Sequence, residues 1–320
     1  MLFQVQRYHF IPDLCPIKRK IKHQNMETET DKLTYVIAER NYVRCITDGV
    51  KMGVNNLGNL LRYVWPALLA VCVSSGLWAI VQQMPATSGL YAISVIALLI
   101  VTLLVYLLYA GTVDAMIVRW RDLGYEPEVS MKTLFPLIRK RALRASSILF
   151  ILVLVSLLSA GCTMVAMMKA WPLWTIPVAL SVIVILYIPA EMTIMEVSYS
   201  DKSLGRCFAS YLRGWRYFGR LFAFDVIGYI CIALLATFPL LPVIVIEMVN
   251  AKATQAQAIG DLVDLPSYYP ALAVFANVLS TAVTMILLTV WSHAHALMWG
   301  SIEEASLSQI KEQQETELSN

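Results

Sequence analysis

The sequence predicts an all-α integral membrane protein of six transmembrane helices, paired as three hairpins, each preceded by an amphipathic helix at the cytoplasmic interface. Three observations predict it: an excess of apolar residues, six long apolar runs, and basic residues gathered on one side of those runs.

Of 320 residues, 58% are hydrophobic and only 15% are charged. A soluble domain carries about a quarter charged residues and must cover itself with polar groups. The apolar excess therefore needs lipid as a second solvent. The net charge of +3 decides nothing by itself; its distribution does.

Residues 1–43 read as a cytoplasmic N-terminal segment. Lys18, Arg19, Lys20 and Lys22 occur there without the apolar core and cleavage site of a secretory signal. Met26 opens an ordinary polar leader, METETDKLTY. It is taken as the start, with 1–25 not translated, and the intact mass of the expressed protein tests this. Residues 44–300 form the membrane domain and 301–320 an acidic cytoplasmic tail, expected to be a solvated or frayed helix.

A helix needs about 20 mostly apolar residues to cross the hydrocarbon core. The runs 63–82, 90–113, 146–168, 172–192, 221–246 and 270–292 qualify. They are too long for barrel strands and lack the polar–apolar alternation of such strands. With these spans, 23 of the 25 Lys and Arg residues fall on one side and only Lys169 and Lys252 on the other. Basic segments stay in the cytoplasm, so both ends are expected inside, with the chain in a bacterial inner membrane. Trp78, Tyr91, Trp171, Trp174, Tyr268 and Tyr269 mark the outer edge, and Trp65, Trp120, Trp291 and Trp299 the inner one. Two outer connections are tight turns; the third, near 248–269, is a longer polar loop.

The order of elements repeats three times: a basic amphipathic segment, then two spans. In the first unit Ile46, Val50, Val54, Leu57 and Leu61 recur at helical spacing; in the third, Leu204, Phe208, Leu212, Trp215 and Phe222 do. In the second, Leu134, Leu137 and Ile138 are flanked by Arg139, Lys140, Arg141 and Arg144. KMGVNNLGNLL (51–61) and LRGWRYFGRLF (212–222) share a Gly, four residues, then Gly, a spacing the second unit lacks. The glycines are expected to permit a bend or close helix approach. Segments of this kind dip an apolar face into lipid and offer cations to anionic headgroups. Arg139, Lys140, Arg141, Arg144, Arg213, Arg216 and Arg220 are the expected headgroup contacts.

The stretch PAEMTIMEVSYSDKSLGRCFASYLRGWRYFGRLF (189–222) resembles a group of bacterial six-helix membrane proteins. The group includes the membrane domain fused to glycerophosphodiester phosphodiesterases. Pro189, Glu191, Ser203, Leu204, Ser210, Gly214, Trp215 and Gly219 carry the resemblance, which extends loosely over 44–300. It implies the fold and the inner-membrane location. The soluble phosphodiesterase domain has no counterpart in this sequence, so the hydrolase activity is not carried over.

Ionisable residues inside a membrane are costly and mark candidate sites. Asp114, Glu191, Asp225, His293 and His295 fall near the inner ends of spans. Aligning Tyr109, Tyr187 and Trp291 across the repeats makes Val113, Glu191 and His295 equivalent, with Asp114 one residue off. If the repeats surround one axis, Glu191 and His295 face each other and Asp225 enters at similar depth. The set is read as a candidate polar cluster for proton coupling or substrate contact, against interfacial residues that pair or snorkel. No metal site is expected. His293 and His295 point about 200° apart on a helix, and the four-residue spacing of HExxH is absent. GxSxG, P-loop and Rossmann glycine patterns are also absent, so no cofactor is expected. The Cys residues are read as small apolar side chains.

The leading reading is a non-enzymatic membrane scaffold or lipid-interacting module, with anionic lipids as partners and no nucleic acid. A transporter or channel built on the polar cluster is the alternative. An enzyme comes last, since no nucleophile or catalytic metal set is identifiable.

Overall fold

The structure, a computed structural model, describes residues 36–84, 89–123, 130–168, 175–258 and 265–319. Met26 and the segment before it lie outside the described residues, as do the centres of both tight turns. Every regular element among the described residues is a helix: α1 (Tyr42–Asn55), α2 (Leu57–Val81), α3 (Gly89–Leu123), α4 (Met131–Met168), α5 (Thr175–Tyr199), α6 (Leu204–Arg216), α7 (Phe218–Ala258) and α8 (Tyr269–Ser319).

Four stretches among the described residues are long and apolar enough to cross a bilayer: Leu57–Val81, Gly89–Asp122, Phe218–Ala253 and Tyr269–Thr316. Their outward faces are apolar. Leu90, Ile93 and Leu104 on α3, Leu234 and Phe238 on α7, and Phe275 on α8 are all exposed. Contiguous apolar surface of this kind does not suit water. Among the described residues the chain is all-helical, and its four apolar helices are those of a membrane protein. The expected span 146–168 and residues 175–192 of the expected span 172–192 are helical backbone in α4 and α5, and much of their side-chain content lies outside the described residues.

Several helices outrun the expected spans. α3 continues to Leu123, ten residues past the expected inner end. α7 continues to Ala258, so the first half of the expected outer loop is helix. α8 runs 51 residues without a break through residue 300. The tail is therefore a continuation of the last span, and its first residues, Ser301 and Ile302, are fully buried. The apolar runs mark only what lipid covers. Backbone hydrogen bonding carries a helix onward wherever a protein surface supports it.

The basic segments of units one and three are separate helices that bend into the following span at matching points. Asn56 (φ −101°, ψ 4°) joins α1 to α2, and Tyr217 (φ −105°, ψ 18°) joins α6 to α7. Each bend falls two residues before the second glycine, Gly58 or Gly219, and both of these face open space. The first glycines serve close approach instead. A Cβ at Gly53 would sit 3.0 Å from the Val290 Cα, and one at Gly214 would overlap the Pro189 backbone. Unit two, lacking these glycines, has no separate interfacial helix: its basic segment and span form the continuous α4.

The basic segments share one packing pattern: α4 lies on α3, α6 on α5, and α1, the first helix, on α8, the last. Small residues bring backbones together at each contact, with Gly49 against Ala294, Gly111 against Ala142, and Gly214 against Pro189. At Gly111 an added Cβ would lie 2.7 Å from the Ala142 nitrogen. Small residues at helix contacts gain dispersion that larger ones would forbid. Ser75 on α2 bonds Thr281 on α8 at 2.7 Å. In the same core the Tyr109 hydroxyl donates to the Met285 carbonyl at 2.8 Å.

Candidate functional site

Three helices deliver ionisable side chains to one point. Glu191 comes from α5, Asp225 from the first turns of α7, and His295 from α8. Their donor atoms all lie within 4.8 Å of one another. His295 Nε2 is 3.0 Å from Glu191 Oε1 and 3.1 Å from the Trp291 indole nitrogen. Glu191 is 1% exposed and Asp225 4%. Both oxygens of Asp225 have no hydrogen-bond partner, and Glu191 has only the neutral Tyr187 hydroxyl beside His295. Such groups ordinarily find partners when buried, so the cluster is short of positive charge.

Aromatic packing fixes the imidazole. Phe224 stacks on Trp291 at 4.9 Å and meets the His295 ring at 5.5 Å. Gly228 lies directly under the Trp291 ring, where any side chain would overlap it. The Tyr187 and Tyr229 hydroxyls, 3.0 Å apart, join α5 to α7 one helical turn from the two carboxylates, Tyr187 preceding Glu191 and Tyr229 following Asp225. We expect Gly228→Ala to displace Trp291 and lower the melting temperature in detergent, an overpacking loss of about 1–3 kcal/mol. Gly219→Ala, in open space, serves as the unaffected comparison.

Of the five residues singled out from the sequence, Glu191, Asp225 and His295 meet. Asp114 lies beside them on α3, within electrostatic reach of His295 and Arg141 and close to Ser198. His293 does not join: its Nδ1 lies 3.0 Å from the Thr289 carbonyl of its own helix.

A second network lies at the basic end of the bundle. Arg141, 1% exposed, donates to the carbonyls of Ser198 (3.1 Å) and Ser200 (2.7 Å) and to Asp201 (2.8 Å). Arg144 donates to the Val197 and Lys202 carbonyls. Arg213 pairs with Glu303 at 2.7 Å, and Arg220 donates to Ser301 and to the Arg40 carbonyl. Lys140 pairs with Asp201 while remaining exposed. Thus Arg141 and Arg144, expected at headgroups, are buried and committed to the turn between α5 and α6. Arg139 and Arg216 face solvent or lipid.

Asp201 is the hub of this turn. Burial opposes its ionisation, but hydrogen bonds from Lys140 and Arg121 and the charges of Arg141 and Arg121 outweigh that and hold the carboxyl well below the usual range. A carboxyl depressed by folding contributes stability above its unfolded pKa, near 3.9, and loses it as pH falls toward its lower folded value. Wild type should therefore exceed Asp201→Asn in melting temperature by a constant margin above about pH 5. That margin should shrink below about pH 4.

No family model matches this sequence, and neither a curated protein nor a solved structure does.

Some members of the site were not singled out from the sequence. Glu196, fully buried, accepts from the Trp299 indole at 2.9 Å and lies 2.6 Å from Lys202 Nζ. Lys202 also reaches Glu303 at 3.0 Å, so the α8 extension is clamped to the α5–α6 turn. The signal was a carboxylate inside an apolar helix, five residues beyond Glu191. Nothing local indicated that Trp299 would reach it from a hundred residues away.

Proposed function

We propose that the chain is a non-enzymatic, lipid-interacting module of the bacterial inner membrane, with six spans in three hairpins and both ends cytoplasmic. The two faces of α6 carry this reading. Cys207, Ser210 and Gly214 are buried, whereas Leu204, Phe208, Leu212 and Trp215 are exposed with Arg206 and Arg216 beside them. A helix bound to protein by a small-residue face and apolar on the other is built to lie in the interface. α1 repeats the pattern, with Gly49 and Gly53 buried and Val43, Val50 and Val54 exposed. The resemblance of 189–222 to membrane domains fused to glycerophosphodiester phosphodiesterases supports the same placement.

The headgroup cations on this reading are Arg139, Arg206 and Arg216. Each basic residue near an anionic surface contributes about 1 kcal/mol, roughly fivefold in binding. Native mass spectrometry of protein released from nanodiscs of mixed lipid tests it. Anionic phospholipid should be retained in excess over zwitterionic lipid, less so at high salt. The triple change to Gln should reduce that excess severalfold. Retention indifferent to salt and to the triple change would defeat the reading.

A transporter or channel is the second reading, favoured by the meeting of Glu191, Asp225 and His295. Ion or substrate flux in proteoliposomes that Glu191→Gln leaves untouched would remove it.

A further inference from the structure

The buried cluster of Glu191, Asp225 and His295 is short of positive charge, and its geometry suggests the missing component. We propose that these three side chains form a binding site for one first-row divalent cation, of the Mn²⁺ or Zn²⁺ class, linking α5, α7 and α8. The inference stands on this geometry alone and is independent of lipid binding.

Three features support it. The first is the donor set. Two carboxylates and one imidazole offer O, O and N ligands, a mixture that suits Mn²⁺ and Zn²⁺. Two carboxylates also balance a dipositive ion, leaving the site neutral inside a low-dielectric bundle. The second is spacing. The donors lie within 4.8 Å of one another, and tetrahedral ligands at ~2.1 Å from a metal are about 3.4 Å apart. Small side-chain rotations close that gap. The third is the lack of any other satisfaction. Asp225 is 4% exposed and neither of its oxygens accepts a hydrogen bond. It faces a second buried carboxylate, whose close partner is an imidazole. His295 Nε2 cannot both accept from Trp291 and donate to Glu191, because one nitrogen holds either a proton or a lone pair. A metal on Nε2 takes the lone pair and leaves the Trp291 N–H free to turn to a carboxylate oxygen.

Motifs in one stretch of chain could not disclose this site, because each ligand comes from a different helix. The two histidines that share a helix, His293 and His295, point apart, and only the second reaches the cluster.

The full chain, purified in detergent and stripped with chelator, is titrated with Mn²⁺ and followed by the loss of the free-ion electron paramagnetic resonance signal. Mn²⁺ is the probe because thiolates favour softer ions, so the six cysteines compete little. Wild type should bind one Mn²⁺ per chain with a dissociation constant below about 100 µM and should melt at a higher temperature when loaded. Asp225→Asn, Glu191→Gln and His295→Gln should each weaken binding at least tenfold and abolish the thermal shift. Metal-free Asp225→Asn should melt no lower than metal-free wild type, since the change removes repulsion between two buried carboxylates. No binding at 1 mM Mn²⁺, or binding unchanged in Asp225→Asn, overturns the proposal and leaves protons as the balancing charge. Should Asp225→Asn not fold, His295→Gln and the ion-dependent shift of wild type decide the matter. A negative result here leaves lipid retention unaffected, so the two failures are distinguishable.

Discussion

Replacing Gly214 with valine should detach α6 from α5 and abolish a monodisperse fold in detergent. A Cβ at this position overlaps the carbonyl oxygen, Cα and carbonyl carbon of Pro189. These are backbone atoms of a packed helix, with no rotamer by which to yield. Overpacking ordinarily costs about 1–3 kcal/mol, and a backbone-to-backbone contact belongs at the upper end or beyond. Pro189 itself removes an intrahelical donor from this helix. The effect should be local to that seam. Gly205→Ala and Gly219→Ala, on the same connection but facing open space, should leave the melting temperature within about 1 °C of wild type, as surface changes do. Size-exclusion profiles and thermal unfolding of the three variants check this. An intact Gly214→Val peak with an unchanged melting temperature would show that α6 does not pack on α5 as described.

Arg141→Met should cause the second large loss. The guanidinium holds two main-chain carbonyls and a carboxylate where α5 ends, at 3.1, 2.7 and 2.8 Å. Hydrogen bonds to a charged group contribute about 1.5–3 kcal/mol each. Methionine keeps the volume but leaves the Ser198 and Ser200 carbonyls without this donor, so a fall of about 3 kcal/mol or more is expected. Lysine should rescue only partly. Its ammonium is a point charge without the planar fork that meets several acceptors at once. Arg139→Met, one helical step outside this network and exposed, should affect lipid retention and not folding. Melting curves at matched detergent and salt separate the two. Equal losses for Arg139 and Arg141 would mean that the network does not order the turn.

The contrast between these arginines shows where reading the sequence stops. Arg139, Lys140, Arg141 and Arg144 form one basic run, and their charge alone gives them all the same expected role. Position on α4 separates them. Arg141 and Arg144 are three apart, share a face, and meet the end of α5; Arg139 looks outward. The glycine pairs divide similarly. Spacing placed Gly53 with Gly58 and Gly214 with Gly219, and the bends do fall beside the second of each pair. Only packing showed that the first members admit a neighbouring backbone while the second ones meet nothing.

The polar cluster was partly legible. A carboxylate or imidazole in an apolar run is conspicuous because lipid makes it costly, and repeat alignment put Glu191 and His295 at equivalent depth. Glu196 and Asp201 escaped notice because most of their partners, Trp299, Arg121, Lys140 and Arg141, are distant in sequence; only Lys202 lies near Glu196 along the chain.

By itself the sequence determined the solvent. Long uncharged runs cannot be covered by the few polar residues present, so helices facing lipid were settled by composition and length. It also marked the two stretches in which a helix bends, because a glycine spacing recurs there, although it left bend and close approach as alternatives. Tertiary structure alone decided which charges turn inward, which helix each basic segment lies on, and that three acid and imidazole groups meet. Those outcomes depend on side chains converging from separate helices. Local pattern carries helix and lipid preference, whereas the identity of a partner across the bundle is a property of the packed whole.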